Sequence, residues 1–477
     1  MKPYEIVIGL ETHIQLNTVT KIFCSCKADS WEAEPNTNIC PVCSGLPGVM
    51  PVLNAEVVQK GALLAAAMHA EINPASYFDR KNYFYPDLPK GFQITQFDEP
   101  IGKGGYLDLK MPGGSSKRVH IHKLHLEEDA GKTKIEHGMR LVDFNRCGVP
   151  LVEMVTEPDL HSADEAAQYL IQLRQLLRWI GVSEADMEKG HLRCDANVSI
   201  REVGSQVLNT KTEIKNVNSI DSVRQAIIME AQRQIEAVEA GERIESYTLD
   251  WDADAGTLRK MRSKETEADY RYFREPDLLP VVLTAEQIDR IKKSLPELPL
   301  ERRGRFVEEY SLSAYDAEIL TSERSLSDYY EETVHLYDGE AKTVSNWMMN
   351  DLSRLINDMG KNAAELRLRP GDLAEILELV DAGKINSATG KSLLKKVEES
   401  GESPAQVVEA EGLGLIGDEA ALREQIKAVL AEAPNEVANF KAGKESLMGW
   451  FLGQVMRRTG GKADPRRTRE LLQELLR

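Results

Sequence analysis

Between Ile6 and Leu16 the chain changes character at every second position. Ile6, Ile8, Leu10, Thr12, Ile14 and Leu16 fall on one side, and Glu11, His13 and Gln15 on the other. A period of two predicts a β-strand with one apolar and one polar face. The segments 106–111 and 117–122 flank Pro112-Gly113-Gly114 and predict a hairpin. Ser162 followed by Glu165 has the form of a helix N-terminus, and Ala166, Leu170, Leu173, Leu177 and Ile180 then recur at helical spacing. A second helix is expected over 222–239, with Val223, Ile227, Ala231 and Val238 on one side. Two prolines in Ser294-Leu295-Pro296-Glu297-Leu298-Pro299 discourage helix and mark a boundary. Everything beyond it patterns as helix. Ser403-Pro404 is read as a second boundary, Gly460-Gly461 as a turn, and Asp464-Pro465 as the start of a final helix. The pattern therefore predicts an α+β region over 1–293, a helical region over 294–404 and a helical tail over 405–477.

Composition narrows the class. The chain has 477 residues with 42% hydrophobic and 29% charged, the balance of a folded chain of roughly two to four domains. No apolar run approaches the ~18 residues of a membrane-spanning helix, so no membrane association is expected. The N-terminus runs straight into Ile6-Val7-Ile8 without a basic region or a cleavage site, so a cytoplasmic location is expected. A formal charge of −18 excludes binding of nucleic acid by the whole surface, because phosphates are repelled. A local exception lies at 457–477, with seven Lys or Arg against three Asp or Glu.

The candidate chemistry is acidic. Glu11 and His13 share a strand face. In Pro150-Leu151-Val152-Glu153-Met154-Val155-Thr156-Glu157, period two puts Glu153 and Glu157 together. Leu126-Glu127-Glu128-Asp129-Ala130-Gly131 is a third acidic stretch, and Arg193-Cys194-Asp195-Ala196-Asn197 a fourth. Carboxylates in strands cost desolvation energy unless a cation compensates, and several carboxylates with one imidazole suit Mg²⁺. Each acid can equally be a solvated strand-face residue or an arginine partner. Spacing within one chain does not show that the four segments converge.

Cys24-Ser25-Cys26 and Cys40-Pro41-Val42-Cys43 are separated by thirteen residues, a spacing able to give four thiolates to a structural Zn²⁺; buried free thiols are the alternative. Cys147 and Cys194 stand apart and suit small core positions. The stretch 79–91 holds three consecutive aromatics and three cations, Arg80, Lys81 and Lys90, and could stack on a base or hold phosphate; a buried aromatic plug is the alternative. The stretch 269–277 is similar in kind. No Walker-type phosphate loop is present, so ATP, if bound, requires another kind of fold.

Taken together, several blocks resemble the B-subunit family of the aspartyl/glutamyl-tRNA amidotransferases (the GatB/GatE family). They are 7–13, 78–87, 126–132, Asp143-Phe144-Asn145-Arg146, 193–197, 269–273 and Met448-Gly449-Trp450-Phe451-Leu452-Gly453-Gln454-Val455-Met456. The resemblance spans essentially the whole chain. It implies a cradle-shaped catalytic domain with an antiparallel sheet, similar to glutamine synthetase and guanidino kinases, then a helical domain and a small tail that engages tRNA. It implies ATP and Mg²⁺ as cofactors, with magnesium ligands His13, Glu128 and Glu153 and with Glu11 adjacent. Asp195, Lys81, Arg146 and Lys90 are implied nucleotide, phosphate or channel contacts. Not every member of the family carries the four cysteines, so structural zinc is expected here from this sequence. The implied reaction is activation of the side-chain carboxylate of Glu-tRNA(Gln) or Asp-tRNA(Asn), followed by amidation. No glutaminase nucleophile is evident, so ammonia is expected from an amidase-type A subunit, with a small C subunit completing a heterotrimer. Arg457, Arg458, Lys462, Arg466, Arg467 and Arg469 are expected to meet the tRNA backbone. Two rivals remain at this level: a stand-alone ATP-dependent carboxylate–amine ligase, and a zinc-containing nucleic-acid-binding module without catalysis.

Overall fold

The computed structural model describes residues 4–263, 267–415 and 419–476. Met1-Lys2-Pro3 and the last basic residue of the tail, Arg477, lie outside the described residues. The chain divides into two compact units, Met1–Leu298 and Pro299–Arg477.

The first unit is built on a 13-stranded sheet. Its main path runs Thr257–Ser263, Tyr247–Asp252, Thr212–Val217, Leu192–Glu202, Tyr4–Gln15, Pro150–Thr156, Ser116–Glu128, Phe92–Thr95, Asp79–Asn82 and Phe273–Arg274. Neighbours along this path are antiparallel except for Thr212–Val217 with Tyr247–Asp252. The strand with the clearest alternation, Tyr4–Gln15, lies inside the sheet and pairs along both edges. The hairpin read around Pro112 forms, as Tyr106–Lys110 against Ser116–Glu128.

The two faces of the sheet are chemically distinct, and the cause is the pleat. Leu10, Ile14, Leu124, Leu126, Val152, Met154, Cys194 and Ala196 point to one side and are buried. They join a core completed by the helices Ala55–Ala67, Ala163–Trp179 and Ile220–Glu239, through residues such as Val57, Ala62, Leu170, Leu173, Val223 and Ile227. Thr12 belongs to this face, and its hydroxyl donates to the Met154 carbonyl at 3.2 Å. Ser162 caps its helix by accepting from the Glu165 amide. The other long helix starts two residues earlier than its apolar pattern suggests, because Ser219 and not Ser222 is the cap.

Beyond Leu298 the chain is helical. One apolar cluster of the second unit centres on Phe306, Tyr330, Met348, Leu373 and Leu394; another centres on Leu422, Ile426, Phe451, Val455, Leu471 and Leu472. Ser403 is the N-cap of helix Pro404–Ala410, whose Val407 packs in the first of these clusters, so that packing continues past residue 404. No helix among the described residues is long and apolar enough to cross a membrane.

The two-faced sheet makes a direct prediction. Leu124→Ala removes a fully buried side chain from the core face and is expected to cost about 2–5 kcal/mol. Lys123→Ala, one residue away on the polar face, is expected to cost less than about 1 kcal/mol. Chemical denaturation of the two variants measures both; equal losses would contradict the alternation.

Candidate functional site: an acidic cluster on the polar face of the sheet

The residues opposite the core face come from five adjacent strands. His13 stands opposite Glu153 on one neighbour and Arg193 on the other, and Glu153 in turn stands opposite His125. One register step away, Glu11 pairs with Asp195 and with Val155. Lys123, His125 and Glu127 alternate with Leu124 and Leu126, which places Glu127 on the polar face. These positions bring His13 Nε2 to 3.6 Å from Glu153, 3.8 Å from Glu127 and 3.8 Å from Glu11. Ligand atoms of His13, Glu127 and Glu153 all lie within 4.8 Å of one another, and so do those of Glu11, His13 and Asp195. His13 belongs to both sets.

This placement corrects the grouping expected from the sequence at one position. Glu128 is not part of the cluster. It follows Leu124 and Leu126 in the alternation and turns away from His13. Its carboxylate pairs with Lys90 and accepts from the Ile94 amide at 2.8 Å. Glu127 occupies the place expected for Glu128. Glu157 also lies apart from Glu153, because the strand ends at Thr156 after a register irregularity, and Glu157 instead meets His122 at 2.9 Å. Asp195 is held by Lys215 at 2.6 Å. Arg146 donates to the carbonyls of Ala130 and Gly131 and lies 3.4 Å from Asp129, which also receives Arg193 at 2.8 Å. Lys81 has no ion pair among the described residues. Its ammonium lies 4.8 Å from the ring of Tyr270 and 5.9 Å from that of Tyr83. The two aromatic and cationic stretches noted in the sequence are strand neighbours, joined by Arg80 with Glu275 and by Arg274 with Asp79, each at 2.8 Å. Phe84 is 79% exposed, so this stretch is not a buried plug. The sequence signal for Glu127 and His125 was present in the Lys123–Glu127 alternation.

Crowding of acids shifts their proton affinities. Glu11 rises to about 7, chiefly because Glu153 is close and then because it is buried. Burial works against a charged His13, but the hydrogen bond and charge of Glu153, with Glu127 and Glu11, outweigh it and lift His13 to about 9. Glu127 is raised by burial and by Glu153. Burial also opposes the ionised form of Glu153, yet His125 and His13 hold it well below the usual carboxylate range. Glu127 and Glu153 are thus buried acids whose close partners are imidazoles, with Lys215 engaged on Asp195. A donor set of carboxylate oxygens and one imidazole with surplus negative charge fits a hard divalent cation.

A second cluster lies in the loop 24–43. The sulfurs of Cys24, Cys26, Cys40 and Cys43 lie within 4.8 Å of one another, and the Cys40 and Cys43 sulfurs are 3.8 Å apart. Tetrahedral Zn–S bonds of about 2.3 Å put sulfurs ~3.8 Å apart, so the four thiols fit a closed zinc site. The turn that pairs Cys40 with Cys43 is closed by Ser44 and Gly45 amides donating to the carbonyls of Cys40 and Val42. Lys21, fully buried, donates to Cys43 at 3.6 Å and to the Asn38 carbonyl at 2.9 Å. The Cys43 thiol is lowered to about 4, first by its bond from Cys24, with Lys21 contributing. Cys147 and Cys194 are buried and do not belong to this set of four sulfurs.

Two family models match the chain. The GatB/GatE catalytic domain matches residues 6–289, and the GatB domain matches residues 328–476. A protein of Thermodesulfovibrio yellowstonii, named as the B subunit of aspartyl/glutamyl-tRNA(Asn/Gln) amidotransferase, is 49% identical over 474 residues, covering 99% of each chain. Proteins of the same name from Persephonella marina and Crocosphaera subtropica are each 46% identical, covering 99% of this chain and 99% and 98% of their own.

The raised affinities of Glu11 and His13 predict how cation binding responds to pH. A divalent cation in either group needs His13 Nε2 free, and the charge of Glu11, a ligand in one group and 3.8 Å from that nitrogen in both, strengthens binding when ionised, so the cation competes with protons held up to about 7 and about 9. Mn²⁺ affinity is expected to rise with pH from 6 to 9, by about tenfold per unit above 7 and more steeply below it. Calorimetry in buffers of different ionisation enthalpy reads the proton release directly. An affinity that does not change over this range would exclude these two groups as ligands.

Proposed function

The chain belongs to the GatB/GatE family, and from that premise we propose that it is the subunit of a glutamine-dependent aminoacyl-tRNA amidotransferase that activates the misacylated tRNA. The reading rests on one observation: His13, Glu127 and Glu153 meet on the polar face of the sheet, with Glu11 and Asp195 sharing His13. We assign this region, over 1–293, to a cradle-shaped catalytic domain of the glutamine synthetase and guanidino kinase kind. The segment 294–404 is assigned to a helical domain, and 405–477 to a tRNA-binding tail. A cytoplasmic location accords with this function.

The side-chain carboxylate of Glu-tRNA(Gln) or Asp-tRNA(Asn) is a poor electrophile, because its charge is delocalised. In the proposed reaction one of its oxygens takes the γ-phosphoryl group of ATP, and ADP leaves. Ammonia then attacks the acyl carbon, inorganic phosphate leaves with the electron pair of the broken C–O bond, and a proton is lost to give the amide. Magnesium, when bound, supplies charge neutralisation for the phosphates. His13 Nε2, with its single lone pair, would hold it together with Glu127 and Glu153, and Glu11 and Asp195 flank the same nitrogen as further carboxylates of that site. Lys81, without an ion pair among the described residues and close enough to Glu153 and Glu127 to feel their charge, is assigned to substrate or phosphate oxygens, and Arg146 with Arg193 to holding Asp129 and the 130–131 backbone in place.

Ammonia has to reach this face unprotonated, and no glutaminase nucleophile is assigned to this chain. An amidase-type A subunit is the proposed source, with a small C subunit in the assembly. A cavity of about 280 Å³ beside the cysteine loop is lined by Phe23, Cys43, Gly45, Lys90, Phe92 and Glu128, the neighbour of Glu127 in the chain. We assign Lys90 and Glu128 to that approach rather than to the cation. Zinc in the cysteine loop is assigned a structural role.

In the tail, Arg457 and Arg469 are exposed and have no ion pair among the described residues. Arg458 is paired with Glu432, Arg467 with Glu419 and Glu470, and Arg466 lies 3.8 Å from Glu470. Such exposed pairs are weak and screened by salt, and they can exchange a carboxylate for phosphate. Lys462 is the remaining cation of the set.

Two experiments test the proposal in the assembled complex. Glu127→Ala and Glu153→Ala are expected to lower ATP hydrolysis stimulated by charged tRNA by at least about 100-fold, an order of loss usual for removing a group that stabilises transferring charge. Glutaminase activity of the partner should remain measurable. Undiminished tRNA-dependent hydrolysis in either variant would refute the assignment. For the tail, Arg457→Glu with Arg469→Glu is expected to weaken tRNA binding and to reduce the slope of log K against log salt by roughly 1 per lost phosphate contact. An unchanged slope would remove these residues from the tRNA interface.

A further inference from the structure

His125 takes no part in the reaction described above, yet it is a buried imidazole in direct contact with the acids of the cluster. Its side chain is 7% exposed, against 20% for His13. Its Nε2 lies 3.1 Å from Glu153 Oε2 and 3.8 Å from Glu127 Oε2. Its Nδ1 is buried with no hydrogen-bond partner among the described residues. A neutral imidazole carries its proton on one nitrogen and a lone pair on the other. With nothing to accept at Nδ1, the proton belongs on Nε2, where the carboxylate of Glu153 receives it. The register explains the contact: Glu153 stands between His13 on one strand and His125 on the other, and both rings approach the same oxygen.

We infer that His125 is a positioning residue, which fixes the carboxylates of Glu153 and Glu127 in the orientation a divalent cation requires. The inference rests on the reading of the acidic cluster as a cation site. A glutamate has three rotatable side-chain bonds, so its oxygens are directed only if something outside the metal shell holds them. His13 is open enough to meet a cation; His125 is closed off behind the two acids and reaches the cation through them. A group kept only to fill the core would not leave a buried ring nitrogen unpaired, because an aliphatic side chain fills the same space without that cost.

The test uses the full-length protein and Mn²⁺ alone, followed by electron paramagnetic resonance or calorimetry, with thermal stability recorded alongside. His125→Ala is expected to weaken Mn²⁺ binding by about 10–100-fold, the usual effect of losing an outer-shell partner. His125→Gln, whose amide nitrogen can stand where Nε2 stood, is expected to recover most of the affinity. His125→Asn, whose amide matches Nδ1 instead, is expected to behave like His125→Ala and replaces it should that variant fail to fold. Wild-type affinity in His125→Ala, or in His125→Asn where it serves as the replacement, overturns the inference, as does a His125→Gln variant no better than the deletion. Glu153→Ala is the control: if it binds Mn²⁺ as the wild type does, the cation reading itself falls, and the inference with it.

Discussion

Glu127 and Glu153 set the terms for the rest of the site. Both are buried, and their oxygens come within 4.8 Å of the same imidazole and of each other. Two full charges at that separation repel by roughly 3–4 kcal/mol at an effective dielectric of about 20, and each also loses hydration worth several kcal/mol. The fold accepts this because the acids sit on paired backbone that cannot retreat. Leu124, Leu126, Val152 and Met154, locked into the core on the opposite face, fix which side chains point toward the cluster. Hydrophobic burial on one side of the sheet thus holds electrostatic strain on the other. That strain is relieved by protons on Glu11 and His13, by the imidazole of His125, or by a cation. The first is lost as pH rises, and the second is partial.

A large part of this arrangement was legible in the sequence. The alternation from Ile6 to Leu16 places Glu11 and His13 on one face, and the structure adds only which strands lie beside them. The Ser162 cap, the turn at Pro112 and the helical region beyond Leu298 follow from local rules that need no tertiary information. The choice between Glu127 and Glu128 was legible only from the nearer residues, because Leu124 and Leu126 give Glu127, whereas Val119 and Ile121 of the same strand, before the register shift, have the opposite parity and would give Glu128. Counting from the leucines gives Glu127; matching an acidic block as a unit gives Glu128. The position of Glu157 was not legible. Period two holds only while the strand continues, and the irregularity after Val155 is set by the neighbouring strand. Convergence of four separate acidic segments was beyond spacing altogether, since it depends on strand order.

Which cations lack an ion pair among the described residues is the other property that only the fold supplies. By sequence Arg80, Lys81 and Lys90 form one basic stretch. In three dimensions Arg80 is bound to Glu275, Lys90 to Glu128, and Lys81 faces aromatic rings. An arginine clamped by two carboxylate oxygens holds two strands together; an ammonium over a tyrosine face keeps its charge available. The same distinction separates Arg457 and Arg469 from Arg458 and Arg467 in the tail. Residue type fixes what a group can do, and the partner already present decides whether it is free to do it.

The adjacent acids Glu127 and Glu128 also tie the cysteine loop to the cluster. Gly45, in the turn of the cysteine loop, has a positive φ, and a side chain there would meet the Lys90 backbone at 3.1 Å. Only glycine lets that turn lie against Lys90. Lys90 binds the Glu128 carboxylate, which accepts from the Ile94 amide. The next residue, Thr95, donates its hydroxyl to Glu127 at 3.2 Å. An unbroken set of contacts therefore leads from four thiols suited to a soft cation to carboxylates suited to a hard one. The two donor sets do not compete, because thiolate and carboxylate select different metals. Closing the first set fixes the turn; the turn sets Lys90; and Lys90 with Glu128 fixes the strand that orients Glu127. A loop far from Glu127 in sequence thereby bears on the geometry of that acid.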